Sequence, residues 1–309
     1  MQSSDVGGDA RCSNRRRPSH YAQSLDDGRR QRCVASRTWL ERPLQASHPR
    51  AMQCSMRVRG FCCGWLEMEV AELVEGEQGR ARIPIPAFVI EHAGSVLVFD
   101  AGLHPSLGDH RSERFRELAP DIECFLPAGA NLRDRLESCG IDSADVRMLA
   151  LSHLHFDHGG GSCLVANADL LIQRLEWQAA VADVNGEIYM PGDIDAGREL
   201  RLLDGECDVF GDGRVVLLPT TGHTAGHQSL RLRTDNGGEL VLCGDACYFE
   251  RSLRMLTPPP HAFSRDSQLE GFERLRRMEL GGARLIFGHE SRQWPIGPDD
   301  DRVIELSDV

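Results

Sequence analysis

Lysine is absent from this chain of 309 residues, because all 35 of its Lys and Arg residues are arginine. Reactions that need a lysine amine are therefore excluded. Aromatic residues make up only 6% of the chain, and the three tyrosines are Tyr21, Tyr189 and Tyr248. No uncharged apolar run approaches the ~20 residues that a membrane-spanning helix requires, so we expect a soluble protein with no membrane partner.

Paired cysteine motifs are missing as well. The 11 cysteines include no C-x-x-C pair, although Cys62 and Cys63 are adjacent. This pattern argues against a disulfide framework and against a zinc site built from thiolates. The sequence also shows no apolar segment followed by a small-residue cleavage site of the secretory type. We therefore expect a cytoplasmic protein.

Charge is distributed unevenly along the chain. Residues 1–55 hold ten arginines and five acidic residues, whereas the remainder holds 25 arginines and 42 acidic residues. Polar, arginine-rich stretches bury too little apolar surface to offset the entropy of ordering, so we predict a disordered head over 1–55. Met52 and Met56 are alternative starts. The strongly acidic remainder, 56–309, is predicted to be one folded domain that does not bind nucleic acid.

Helical and strand patterns occur in both halves of the folded domain. The predicted strands are 66–73, 83–90, 96–99, 146–152, one ending at Ile172, 215–218, 228–233, 239–244 and 284–287; the predicted helices are 130–138, 174–183 and 266–278. Mixed strands and helices of this kind indicate a layered α/β domain.

The most informative segment reads SHLHFDHGGG, at residues 152–161, and it directly follows an apolar strand. Side chains alternate along an extended segment, so we expect His153, His155 and Asp157 to point the same way, with His158 turning in beside Asp157. Imidazole and carboxylate groups are ligands for zinc or a similar divalent ion. The segment therefore predicts a metal site.

Three later loops supply further candidate ligands. His223, Asp245 and His289 each follow an apolar strand. Functional side chains often gather in the loops at strand ends, so we expect these residues to share one rim of the domain with the first motif.

These motifs resemble the metallo-β-lactamase superfamily and, within it, most closely the N-acyl homoserine lactonases. The resemblance covers about residues 65–295 and is carried by four stretches: 152–160, 221–230, 244–248 and 287–290. The H-x-H-x-D-H motif is specific for the superfamily and only weakly for the substrate. Tyr248, three residues after Asp245, is the more telling sign of the lactonases.

The resemblance implies an αββα four-layer sandwich of two mixed sheets with a pair of divalent ions at one edge. The ions are expected to be zinc, with manganese, iron or cobalt as alternatives. One ion would be held by His153, His155 and His223, the other by Asp157, His158 and His289, with Asp245 bridging both. Asp100 would orient a ligand imidazole. His227 is expected to be an ordinary buried histidine.

The implied activity is opening of the lactone ring of N-acyl homoserine lactones, which is quorum quenching. Divalent ions lower the pKa of water and so supply hydroxide to attack the carbonyl carbon. Tyr248 would donate a hydrogen bond to the carbonyl oxygen or to the amide of the acyl chain. Asp157 would pass a proton to the departing alkoxide. The expected partner is thus a small lactone or ester.

Several alternatives remain open at this point. The same scaffold can hydrolyse another lactone, an ester or an organophosphate, and a non-catalytic relative can bind a ligand without turnover. A β-lactamase fits less well because no lysine is present. A glyoxalase II-like thioesterase also fits less well, because the 20 residues after His289 leave no room for the extra C-terminal helical region of such enzymes. The acidic charge argues against a nuclease, and His155 argues against an iron-based redox enzyme. Residues 85–88 and 256–263 are candidate walls of the substrate pocket; the oligomeric state is left undetermined.

Overall fold

The computed structural model describes residues 55–107, 121–182, 189, 197–294 and 303–307. These residues all belong to one compact unit, Met52–Val309. The arginine-rich segment 1–54 lies outside the described residues, so its predicted disorder and the proposed domain boundary stay predictions. Within the described ranges, every helix is too short or too polar to cross a lipid bilayer.

Two β-sheets form the centre of the domain. Among the described residues, the first sheet has eight strands in the order β13-β1-β2-β3-β5-β6-β7, with β4 paired to β1, and the second has five in the order β12-β11-β10-β9-β8. The strands of the first sheet are β1 (Arg57–Glu69), β2 (Arg80–His92), β3 (Ser95–Phe99), β4 (Glu123–Phe125), β5 (Met148–Ala150), β6 (Asp169–Gln173), β7 (Leu200–Leu203) and β13 (Ile304–Glu305). Those of the second are β8 (Cys207–Asp208), β9 (Val215–Pro219), β10 (Gln228–Arg233), β11 (Glu239–Leu242) and β12 (Arg284–Ile286).

Helices cover the outer faces of both sheets. On the first sheet lie α1 (Leu132–Ser138) and α3 (Arg174–Ala182), and on the second lie α4 (Glu250–Met255) and α5 (Arg265–Leu280), whereas α2 (Phe156–Gly159) belongs to the loop after β5. The start of α1 is fixed by Asn131, whose side chain accepts a hydrogen bond from the backbone N–H of Asp134. Ser264 caps α5 in the same way, on Ser267. Such caps satisfy backbone donors that have no partner within the helix.

Three apolar cores formed by the described residues separate the layers. Alternate residues of β2 illustrate the division: Phe88 and Ile90 belong to the core between the two sheets, whereas Ala87 and Val89 belong to the core under α1 and α3. A third core, which includes Phe272, packs α4 and α5 on the second sheet. The predicted αββα sandwich is therefore confirmed.

Strand direction determines where the functional loops lie. β3, β5 and β6 are parallel, so their carboxyl ends share one edge of the first sheet. β9 and β11 are both antiparallel to β10, and β12 is parallel to β11, so these three strands also end at a common edge of the second sheet. The loops that carry the candidate ligands leave these ends.

The predicted strand 66–73 is wrong at both ends. The observed β1 begins at Arg57 and ends at Glu69, and Val70–Glu72 form a 3₁₀ helix. The first part of β1 is buried on both faces and contains a bulge between Cys62 and Trp65, which together remove the polar–apolar alternation that reveals a strand. The short strands β4, β7, β8 and β13 and the short helices α2 and α4 were not predicted either, because elements of two to six residues show little periodicity.

Candidate metal centre

Three histidines converge from two loops. Nε2 of His223 lies 3.1 Å from Nε2 of His153 and 3.1 Å from Nδ1 of His155. An oxygen of Asp245 lies 3.3 Å from the same atom of His223. With one ligand atom from each, these four residues form a cluster within 4.8 Å, which we call the first group.

A second cluster lies beside it. His158, Asp157 and His289 form this second group, again within 4.8 Å of one another. Nε2 of His158 is 3.5 Å from Oδ2 of Asp157, and Nε2 of His289 is 3.9 Å from that oxygen. The structure therefore brings together all seven residues that the sequence marks as candidate ligands.

Asp245 connects the two groups through its two carboxylate oxygens. Oδ2 faces His223 and His153, at 3.3 and 3.6 Å. Oδ1 faces His158 and His289, at 3.3 and 3.2 Å. A carboxylate placed in this way offers one oxygen to each of two cations.

The tautomers of the second group are fixed by acceptors on the far side of each ring. Nδ1 of His158 donates to a carboxylate oxygen of Asp100 over 2.9 Å, and Nδ1 of His289 donates to the backbone oxygen of Pro84 over 2.8 Å. In the neutral form of each ring, a proton on Nδ1 leaves the lone pair on Nε2, which faces the centre of the cluster. Asp100 thus takes the orienting position expected from the sequence, and its partner is His158.

The first group is oriented similarly. Nδ1 of His153 lies 3.0 Å from the hydroxyl of Ser152, and that hydroxyl donates to Asp100. Nδ1 of His223 lies 3.3 Å from the hydroxyl of Tyr248. With each Nδ1 acting as donor, the Nε2 atoms of both rings present lone pairs to each other.

Charge in the two groups follows from burial and from the carboxylates. Burial lowers the pKa of His153 and His223 well below the usual range and that of His155 to about 4, so these rings are neutral. Burial also disfavours the charged form of His158, but the carboxylates of Asp245, Asp157 and Asp100 raise its pKa well above the usual value. Although burial raises the pKa of Asp245, His158 and His289 lower it well below the usual range.

The donor set fits divalent cations. Several ring nitrogens and carboxylate oxygens face common points, and within the described residues neither Nε2 of His158 nor Oδ1 of Asp245 makes a hydrogen bond. Buried polar atoms without partners are costly unless something else binds them. When Asp245 is shared, the first group offers three nitrogens and one oxygen, and the second group offers two nitrogens and two oxygens. Both sets match the ligand preferences of zinc and similar ions.

A cavity of about 710 Å³ opens onto both groups. His155, Asp157, Tyr248 and His289 are among the residues that line it. Its other walls combine apolar and charged side chains: Leu66, Met68, Leu73, Ile83, Ile122, Phe156 and Phe263 with Glu69, Glu72, Arg80, Asp121 and His261. The predicted wall 256–263 contributes His261 and Phe263. The predicted wall 85–88 is not among the lining residues, since Ile85 and Phe88 are buried in the core between the sheets.

The local conformation of the first motif differs from the prediction. Phe156–Gly159 form the short helix α2, so Asp157 does not continue the extended alternation of His153 and His155. The helix turns Asp157 and His158 toward His289, the third member of the second group. The expectation that His153, His155 and Asp157 all point the same way is therefore wrong, because helix periodicity replaces strand periodicity after His155.

His227 is buried, as expected, but only one of its ring nitrogens is bonded. Nδ1 lies 2.9 Å from the hydroxyl of Thr220, while Nε2 makes no hydrogen bond within the described residues. Burial lowers the pKa of His227 to about 3, so the ring stays neutral. It packs 5.2 Å from the ring of His153 and thus supports that side chain.

Two buried side chains beside the site were not identified from the sequence. Glu176 on α3 accepts hydrogen bonds from the backbone of two ligand-bearing loops. Gln268 on α5 donates to the backbone oxygens of Asp245 and Ala246. The only sequence signal for either was a polar residue within a predicted helix, which usually indicates a solvent-exposed position.

The comparisons with known proteins agree with this arrangement. Residues 81–289 match the family model described as the metallo-beta-lactamase superfamily. The N-acyl homoserine lactonase AttM of Rhizobium radiobacter is 29% identical over 228 residues, which cover 71% of this chain and 87% of that protein. The N-acyl homoserine lactonase of Bacillus cereus is 28% identical over 216 residues, covering 68% of this chain and 83% of that protein.

A solved structure shows the same fold. It is an N-acyl homoserine lactone hydrolase with the product N-hexanoyl-L-homoserine bound at its catalytic metal centre, and it superposes with a TM-score of 0.69 at 24% sequence identity. The match covers 78% of this chain and 96% of that chain. The architecture is thus shared along nearly the whole length of the solved protein.

Proposed function

Because this chain belongs to the metallo-β-lactamase superfamily, we propose that it is a dinuclear metal-dependent hydrolase that opens the lactone ring of N-acyl homoserine lactones. The observation that carries the proposal is the pair of donor groups, joined by Asp245, that face a cavity also lined by Tyr248. The curated relatives named above are N-acyl homoserine lactonases, which supports the same substrate class.

The seven clustered residues are the metal ligands in this proposal. His153, His155 and His223 would hold one ion, Asp157, His158 and His289 the other, with Asp245 between them. Zinc is the ion that we propose, since imidazole nitrogen and carboxylate oxygen are its usual ligands at catalytic sites. The ions would polarise the ester carbonyl and lower the pKa of water, so that hydroxide is available near neutral pH.

Tyr248 would bind the substrate through its phenol. Its oxygen is 3.3 Å from Nδ1 of His223, which donates to it when Nε2 of that ring binds metal. The phenol proton is then free to donate to a carbonyl oxygen in the cavity. Burial, together with the nearby carboxylates of Asp245 and Asp157, raises the pKa of Tyr248 well above its usual value, so the group remains a donor at neutral pH.

Asp157 would act in proton transfer. It is buried, lines the cavity and belongs to the second group. As a carboxylate, Asp157 would take a proton from the attacking water, and it would then deliver that proton to the alkoxide released by ring opening. The product is an N-acyl homoserine.

The cavity suits an acyl chain attached to a small polar head. Leu66, Met68, Leu73 and Ile83 contribute apolar side chains to its lining. Burial of methylene groups against such side chains gains about 0.8 kcal/mol for each CH₂ that leaves water. Removal of acyl homoserine lactones by such an enzyme would silence signalling that depends on them, which is quorum quenching.

A panel of substrates tests the proposal. Acid release would be measured from acyl homoserine lactones of several chain lengths, a simple lactone, a β-lactam, a thioester and a phosphotriester. We expect the largest kcat/KM for the acyl homoserine lactones, and an increase with chain length until the apolar wall is filled. A larger kcat/KM for the β-lactam, thioester or phosphotriester would contradict the assigned substrate.

A further inference from the structure

Glu176 is a fully buried carboxylate in the first turn of α3, and it contacts the loops that carry the first group. Oε1 accepts the backbone N–H of Leu154 over 3.1 Å, and Oε2 accepts that of Gly226 over 3.0 Å. The hydroxyl of Tyr189 is also hydrogen-bonded to Glu176. A buried carboxylate of this kind is stable only because donors surround it.

The two backbone partners of Glu176 lie next to metal-ligand candidates. Leu154 stands between His153 and His155, and Gly226 follows His223 by three residues. One carboxylate therefore joins the loop that leaves the first sheet to the loop that leaves the second.

Close packing at Gly226 supports this connection independently. A Cβ atom added to Gly226 would lie 2.2 Å from the backbone nitrogen of Glu176 and 2.6 Å from its Cβ. Only glycine fits this approach of the loop to α3. The loop carrying His223 is thus held against the helix by both the hydrogen bond and the absence of a side chain.

The first group needs such a restraint. Its rings place neutral nitrogens 3.1 Å apart, with lone pairs directed at a common point. Without a bound cation these lone pairs repel each other, and each loop gains entropy when it moves away. Tyr189 adds to the restraint because its ring packs 5.2 Å from that of His155.

We propose that Glu176 is a positioning residue that preorganises the first group, His153, His155 and His223, for its metal ion and leaves the second group unaffected. The second group has its own supports, since Asp100 orients His158 and the Pro84 backbone orients His289. The inference rests on the proposed dinuclear site. It extends that site to a residue that touches neither substrate nor metal.

Replacement of Glu176 by glutamine is the direct test. Glutamine offers one acceptor oxygen, and its NH₂ group would face a second N–H donor, so one of the two loops is released. We expect zinc affinity at the first group to fall about 10- to 100-fold, as when an outer partner of a ligand is lost. Affinity would be measured on metal-free, folded protein by competition with a chromophoric chelator, without any substrate.

Two further variants assign the effect and guard against misfolding. In a His223→Asn background, where the second group alone is complete, Glu176→Gln should leave zinc affinity unchanged. Gly226→Ala should reproduce the selective loss, because the added methyl pushes the same loop away from α3. Glu91→Gln is the matched control, since it removes a carboxylate from a partly buried pair with Arg59 and contacts no ligand loop.

The outcomes are distinct. The inference is overturned if Glu176→Gln and Gly226→Ala, both folded by circular dichroism, bind two zinc ions as tightly as the parent chain, or if both sites weaken equally. If the parent chain opens no lactone although the variants lose first-site zinc selectively, the proposed function fails and the role of Glu176 stands.

Discussion

At the scale of single residues, Asp100 shows how backbone and side chain are adapted to the site. Its φ angle of 61° places it in the left-handed region that residues other than glycine seldom adopt. In that conformation its carboxylate accepts hydrogen bonds from the N–H and hydroxyl of Ser152 and from Nδ1 of His158. Local strain is thus retained at a position where it aligns a ligand candidate.

Asp100→Asn is expected to weaken the second metal site. The asparagine side chain keeps one acceptor oxygen, so His158 or Ser152 meets an NH₂ group instead of a carboxylate oxygen. Loss of such a partner lowers metal affinity about 10- to 100-fold. Zinc titration of the metal-free variant would measure this, and undiminished binding at both sites would show that Asp100 does not orient His158.

Tyr248→Phe is expected to slow lactone opening about tenfold or more when zinc is supplied in excess, so that both ions are bound although Nδ1 of His223 loses its partner. The phenylalanine ring keeps the packing of Tyr248 on His289 but removes the hydroxyl that would bind the substrate carbonyl. Steady-state kinetics with zinc content measured on the same sample is the appropriate test. Unchanged kcat/KM would remove Tyr248 from the catalytic residues.

At the scale of elements, the β1–β2 connection, residues 70–79, is joined by ion pairs to the segment from α4 to the start of α5. Glu75 pairs with Arg265 and Glu77 with Arg251, each at 2.9 Å, and Glu72 is hydrogen-bonded to His261. Glu72 and His261 both line the cavity, so these contacts join two of its walls. The pairs are largely exposed to solvent, which weakens each of them.

A double-mutant cycle on Glu75→Gln and Arg265→Gln would measure one of these pairs. Both side chains are more than half exposed, so we expect a coupling free energy of about 0.2–1 kcal/mol that decreases in 1 M salt. Urea unfolding of the four proteins gives the value. Coupling well above ~1 kcal/mol, unaffected by salt, would indicate a desolvated pair.

At the scale of the whole molecule, the candidate metal centre joins the two sheets. His153 and His155 follow β5 of the first sheet, whereas His223 and His289 follow β9 and β12 of the second. The core between the sheets is apolar. Cations bound there would cross-link both halves of the sandwich in the folded state only.

Metal removal is therefore expected to lower thermal stability as well as activity. A ligand present at 100 times its Kd stabilises the folded state by about 2.7 kcal/mol, which corresponds to a Tm shift of roughly 5–10 °C for a domain of this size. Thermal unfolding before and after treatment with a chelator, and after zinc is restored, would show the shift and its reversal. An unchanged Tm together with unchanged hydrolysis would contradict the metal-dependent mechanism.

The sequence by itself determined which side chains are candidate metal ligands, and it predicted the class of fold. The motif formed by His153, His155, Asp157 and His158 can be recognised without knowledge of the rest of the chain, because its residues lie within one short segment. Strands such as β10 and helices such as α5 were predicted closely, since their apolar residues recur with the period of the element. The other three candidates, His223, Asp245 and His289, were found from their positions after apolar strands, and the resemblance to a known superfamily assigned all seven to two ions.

Only the tertiary structure decided which partners hold these residues in place. Glu176, Gln268 and the backbone oxygen of Pro84 act on ligand candidates distant in the chain, and Pro84 is 205 residues away from His289. No local pattern encodes such contacts, because they arise where separate strands end at a common edge. The same holds for β1, whose burial on both faces comes from neighbours in space and erases the alternation that a sequence would show.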